Sequence, residues 1–143
     1  MSYKQYFLKA KILAKESAVD LLNGCYNKAT SSMWFTVEMI FRAILIFCKK
    51  PVPAKSGQLI NAIIKLLKDV STVDVSYILQ ASTLYTLRIN SDHRKIILTK
   101  NEAMKAVTIV KGIISLLIAF LRGSLENESL RILYDVLNFF QRF

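Results

Sequence analysis

AKESAVDLLNGCYNKATSSMWFTVEMIFRAILIF, residues 14–47, holds one glycine and no proline, and reads as two long helices joined at Gly24. Apolar residues recur at helical spacing on both sides of that join. Working back from it, the first helix begins near Tyr3 and runs to Asn23. Its main apolar face carries Phe7, Ala10, Leu13, Ala14 and Leu21. A second ridge carries Leu8, Ile12 and Val19, and Lys4, Lys11 and Lys15 form a basic stripe between the two. Working forward, the second helix runs from about Tyr26 to Lys49 and stops before Pro51 and Pro53, which lack the N–H a helix interior needs. On it Glu38 and Arg42 stand four apart, the spacing of ordinary helix support.

The same punctuation continues downstream. Ser56 is placed to cap a third helix through about Val70, with Leu59, Ile63, Leu66 and Leu67 facing inward. Another helical stretch covers about Val73 to Leu87, and RINSDHRK (Arg88 to Lys95) then breaks the apolar period as a polar interruption. Thr99-Lys100-Asn101-Glu102 has the residues of a capping box and opens a helix to Leu121, with Gly123 as its stop. From Ile113 this helix is apolar all round, which predicts cover on every side. A last helix from about Glu126 has two ridges, one of Leu130, Leu133, Leu137 and Phe140, the other of Ile132, Val136, Phe139 and Phe143. Neither a strand pattern nor a repeat is visible. The expectation is an all-α, antiparallel up-and-down bundle of about five to six helices, one domain over residues 1–143, forming a homodimer through its long helices.

Composition sets limits on function. Hydrophobic residues make up 53% and mean hydropathy is +0.35, so a membrane protein has to be considered. The longest apolar run, Ile113–Leu121, is far shorter than the roughly 20 residues that span a bilayer, and Met33–Cys48 contains Glu38 and Arg42. No membrane partner is therefore expected, and burial between subunits accounts better for the apolar excess. Twenty Lys and Arg against ten Asp and Glu give a net charge of +10, which favours polyanionic partners, RNA or DNA before an anionic membrane. A lysine-rich proteome gives the same balance for solubility alone. Cys25 and Cys48 would lie about 34 Å apart along one helix at ~1.5 Å per residue, too far to bridge within the chain. Two free thiols point to a reducing cytoplasm. No Cys/His cluster, phosphate-binding glycine loop, dinucleotide fingerprint or nucleophile elbow appears, so neither a metal nor a cofactor is expected.

The chemical vocabulary is concentrated in the polar interruption. His93 is the only histidine, and Arg88 precedes it with four residues between them. An imidazole titrates near neutral pH and can move a proton; a guanidinium can grip a phosphate with two parallel hydrogen bonds. The competing reading is structural, with Arg88 paired to Asp92 or capping helix carbonyls and His93 a solvated loop residue. For Tyr85, core packing competes with substrate stacking and is the stronger reading.

Residues 14–47, the proline-bearing loop after them and SGQLINAIIKLL (56–67) together resemble the HEPN domain. That family opens with a long helix pair joined by a Leu-Leu-x-Gly-x-Tyr-x-x-Ala pattern, here Leu21, Leu22, Gly24, Tyr26 and Ala29, and its second helix is aromatic, here Trp34 and Phe35. TLYTLRINSDH (83–93) followed by NEAMKAV (101–107) is similar to the loop and next helix start of small archaeal and bacterial members, so the likeness covers roughly residues 8 to 122. Many members are ribonucleases with an Arg-x4–6-His motif that dimerisation brings together; others bind nucleotides or RNA, or accompany a small nucleotidyltransferase as a toxin–antitoxin pair. Arg88 and His93 fit the motif's spacing, while Ile89 stands where catalytic members have a polar residue. The resemblance thus implies a metal-independent endoribonuclease with Arg88 and His93 catalytic and Asn90, Asp92, Arg94 and Lys95 contacting substrate. Its alternative is a non-catalytic nucleotide-binding or interaction module partnering a nucleotidyltransferase-type antitoxin.

Overall fold

Ser2 opens helix α1 (Tyr3–Leu22) with a capping box: its hydroxyl accepts from the Gln5 N–H at 3.3 Å, and Gln5 Oε1 accepts from the Ser2 N–H at 2.8 Å. The computed structural model describes residues 1–93 and 96–143, without the side chain of His93. Gly24, at φ 74°, then reverses the chain in a left-handed conformation that costs a residue without a side chain little, and α2 (Tyr26–Phe47) returns antiparallel to α1. Of the described residues 79% are helical. Among the described residues there is no strand, and six helices of 12 to 22 residues plus one single-turn helix make up the bundle.

Helix α2 is the centre of the bundle. Met33, Trp34, Val37, Ile40, Phe41 and Ile44 on it are wholly buried, and α1, α3, α5 and α6 pack around it. This all-round burial leaves its middle apolar except for Thr36, Glu38 and Arg42. Glu38 is buried too, and its carboxylate accepts from Trp34 Nε1 (3.2 Å) and Ser56 Oγ (2.7 Å) while pairing with Arg42 Nε (3.3 Å). Arg42 also donates to the carbonyls of Pro53 (3.0 Å) and Ala54 (3.4 Å). The Glu38–Arg42 pair, which its spacing marks as ordinary helix support, instead fastens the proline loop to the core.

Ser56 consequently does not cap α3. Its hydroxyl is committed to Glu38, residues Ser56–Gln58 form a 3₁₀ turn, and α3 runs Leu59–Val70 with Leu59, Ile63, Leu66 and Leu67 buried. The next junction also departs from the expected helix. In place of one helix from Val73 to Leu87, the structure has an extended link, a single turn α4 (Ser76–Leu79) and α5 (Ala81–His93). Local hydrogen bonds explain the break: Ser71 Oγ accepts from the Val73 N–H and Asp74 Oδ1 from the Ser76 N–H, offering the backbone partners that a helix would otherwise supply. Residues 88–93 are correspondingly helical, not a loop.

The Thr99–Glu102 capping box is present at the start of α6 (Lys100–Leu121), and Gly123, at φ 94°, turns the chain into α7 (Asn127–Gln141). Helix α7 packs on both α1 and α6, so Leu133 and Phe140 of one ridge and Ile132 and Val136 of the other are buried within the chain. Helix α6, in contrast, is not covered on every side within the chain: Ser115 and Ala119 are exposed and Leu116 and Phe120 half-buried along a groove facing Tyr77. The ring of Tyr77 lies so close over Gly112 that any Cβ there would overlap it. Helices α2 and α6 are long and apolar enough to cross a bilayer, yet 67% and 50% of their apolar windows are buried inside the bundle.

Where α1 meets α7, Glu126 accepts from Tyr3 Oη (3.0 Å) and from Ser129 Oγ. Burial alone would raise the Glu126 carboxyl pKa, but the Ser129 hydroxyl, its own backbone N–H, the Tyr3 hydroxyl and nearby Lys4 outweigh it and hold the group below the usual carboxylate range. Because the folded-state pKa is depressed, the stabilisation is complete above the unfolded glutamate range and disappears as pH falls through the lowered value. Acid titration of thermal stability should therefore show a loss that Glu126→Gln flattens; an unchanged acid limb in the variant would contradict this account. Glu38→Ala should cost about 3 kcal/mol, since it strands Trp34 Nε1, Ser56 and a largely buried guanidinium. That is a fall in Tm of roughly 10 °C by circular dichroism.

Candidate functional site

The C-terminal half of α5 lies antiparallel against the N-terminal half of α2, and each contact steps along both helices. The Tyr85 ring meets Trp34 edge-on with centroids 5.0 Å apart, which settles Tyr85 as a packing residue. One turn on, the Arg88 guanidinium lies 5.0 Å from the centre of the Phe35 ring, a cation–π contact. Asp92 accepts from Ser31 Oγ at 2.5 Å, and the Ser91 hydroxyl donates to the Asn27 carbonyl at 3.1 Å. These partners explain why α5 continues past Leu87: its polar residues satisfy groups on α2, so the apolar period ends without the helix ending.

Arg88 and Asp92 form the ion pair named as the structural alternative, with Nε 3.0 Å from Oδ2 and side chains 20% and 32% exposed. The Nε lacks the alignment of a hydrogen bond and has no other partner among the described residues. The guanidinium is thus seated on Phe35 and beside Asp92, one side open. Asn90 turns its Oδ1 inward, where no described donor meets it, while its carbonyl accepts from the Ile96 N–H at 3.2 Å. His93 is the last residue of α5; its side chain, and all of Arg94 and Lys95, lie outside the described residues. Arg88, Asn90 and Asp92 are therefore brought to one helical segment.

Residues the sequence reading passed over complete the arrangement. Asn27, Ser31 and Phe35 stand at i, i+4 and i+8, one line down α2 facing α5. In the sequence Asn27 and Ser31 stand among Lys28, Thr30 and Ser32 in the polar first turns of α2, which left no signal to single them out. Asn27 does most: its Nδ2 donates to the Ile96 carbonyl (2.7 Å) and its Oδ1 accepts from the Leu98 N–H (2.9 Å), holding the segment before α6. The N-terminal ends of α2 and α6 are thereby drawn together at this end of the bundle, with Lys28 and Lys100 exposed on their first turns. Helix N-termini carry partial positive charge and favour anions; at α6 the Glu102 carboxylate already takes that place, accepting from the Thr99 N–H, whereas at α2 no side chain does. A neighbouring pocket of about 390 Å³ is lined by Tyr26, Lys100, Met104, Arg142 and Phe143 with Leu21 and Leu22. Of the basic stripe on α1, Lys11 is bound to Asp135 of α7 at 3.1 Å. The two cysteines are free, and burial pushes the Cys48 thiol up against the opposing influence of Lys50, which makes it a poor nucleophile.

No protein-family model, characterised protein or solved structure matches this chain.

Asn27→Ala should cost about 1–2 kcal/mol and accelerate exchange of the Leu98 amide by an order of magnitude or more, leaving the central α2 amides protected. Unchanged Leu98 exchange would show that Asn27 does not hold this segment.

Proposed function

We propose that the protein is a HEPN-like domain that binds RNA at the end of the bundle where α5 stops and α2 and α6 begin, and that it cleaves RNA without a metal. The observation that carries the reading is the seat of Arg88: a guanidinium fixed by Phe35 and Asp92, with its two Nη groups unpaired among the described residues, at the end that carries Lys28, Lys100 and the uncapped N-terminus of α2. A pinned guanidinium loses little further rotamer freedom on taking a phosphate, which is what a clamp requires. In this reading Arg88 stabilises charge developing on the phosphate, and His93 takes the proton of the attacking ribose hydroxyl or delivers one to the leaving oxygen. Asp92 orients Arg88, and Asn90, Arg94 and Lys95 contact ribose or phosphate.

A second reading is favoured by the same pair. Arg88, Asp92, Ser31 and Phe35 together fasten α5 to α2, a sufficient reason for an arginine here in a non-catalytic nucleotide-binding or interaction module that accompanies a nucleotidyltransferase.

Labelled structured and single-stranded RNA in EDTA separates the two. Cleavage by the wild type, abolished in His93→Ala at unchanged fold and reduced at least tenfold in Arg88→Lys, supports the ribonuclease. Equal cleavage by wild type and His93→Ala would expose a contaminant, and absence of cleavage with salt-sensitive binding would leave the binding module. Binding to RNA should weaken steeply as salt rises; no binding at low salt would remove the nucleic-acid reading altogether.

A further inference from the structure

Five positions on α1, Leu8, Ile12, Lys15, Val19 and Leu22, follow one another at intervals of four, three, four and three, and every one is exposed. Among them Leu8 is 50%, Ile12 59%, Val19 49% and Leu22 61% open to solvent. The inward face of the same helix, Phe7, Ala10, Ala14, Ser17 and Leu21, is already spent on the core. An alternation of four and three is the repeat that keeps one side chain row facing a partner helix over several turns. The double ridge of α7 is used up inside the chain, whereas the second ridge of α1 meets nothing.

The flanking charges say what fits. Lys9 and Glu16 are both exposed on one flank of the row, a heptad apart, and neither has an ion-pair partner among the described residues, whose salt bridges are those of Lys11, Arg42 and Arg88. A second copy of α1 laid antiparallel, with Leu8 against the second copy's Val19 and Ile12 against its Lys15, sets Lys9 beside the second copy's Glu16, and by symmetry does so twice. A parallel copy places equivalent flanking charges on opposite sides of the seam, where they cannot meet. Lys15 then lies close to the two-fold axis, a polar residue in an apolar seam, the kind that fixes register and orientation at some cost in affinity.

We propose that this ridge of α1 is the surface on which two copies of the protein associate, antiparallel, with paired Lys9–Glu16 contacts. Sedimentation of the full chain should give twice 16.3 kDa. Ile12→Asp should raise the dissociation constant by roughly 100-fold, because the dimer carries the substitution twice, at an unchanged helical circular dichroism spectrum. Lys9→Glu and Glu16→Lys should each weaken association several-fold. The double variant Lys9→Glu/Glu16→Lys should restore it, and Lys15→Leu should tighten it. A wild-type monomer at high concentration overturns the proposal, as does a dimer indifferent to Ile12→Asp. Failure of the double charge swap to rescue overturns the antiparallel arrangement. A monomer that floats with anionic vesicles, and loses that binding in Ile12→Asp, assigns the ridge to a lipid surface instead.

Discussion

A carboxylate buried in the middle of the central helix is the constraint from which much of this structure follows. Burying the Glu38 carboxylate is costly unless its oxygens are met, and three groups meet them: the Trp34 indole, the Ser56 hydroxyl and the Arg42 guanidinium. Each commitment then fixes something else. Ser56 is drawn away from capping α3, which begins with a 3₁₀ turn as a result. Arg42 reaches the Pro53 and Ala54 carbonyls and lays the proline loop against the bundle. The Trp34 ring, held by its own N–H, becomes the surface on which Tyr85 packs.

That last contact carries the constraint to the other end of α5. Once Tyr85 is set against Trp34, the antiparallel register of the two helices brings Arg88 to Phe35 and Asp92 to Ser31. Helix α5 has little apolar face of its own toward its C-terminus, so polar and aromatic partners on α2 hold it. Such contacts have definite geometry, unlike an oily face that can slide, and an arginine gripped this way is directed as well as present. The same end of the bundle is tied by Asn27 to the strand of chain preceding α6, which draws two helix N-termini together.

The legible and illegible features differ in kind. The helix pair around Gly24, the stop at the prolines, the Thr99–Glu102 capping box and the turn at Gly123 are all local chemistry: a missing Cβ, a missing N–H, a side chain reaching three residues along. The inward face of α3 was equally plain, because its apolar residues repeat at one spacing. Hidden from such a reading were Ser56, which has two possible partners of which only one is nearby in sequence, and α5, whose apolar period stops two turns before the helix does. The Arg88–Asp92 pair was visible from its spacing of four; Phe35, Ser31 and Asn27 were not, since they lie more than 50 residues away and meet α5 only when the chain has folded.

By itself, then, the sequence determined an all-α bundle, the number of its long helices and most of their limits, because those depend on interactions within a few residues. Tertiary structure alone decided which ridges of each helix are spent inside the chain. Both α1 and α7 carry two apolar ridges, and nothing local distinguishes them. Helix α7 lies in the angle between α1 and α6, so residues of both its ridges are covered; α1 has α2 and α7 on one side and solvent on the other. Burial is a property of neighbours, and the neighbours of a helix are set by the whole chain.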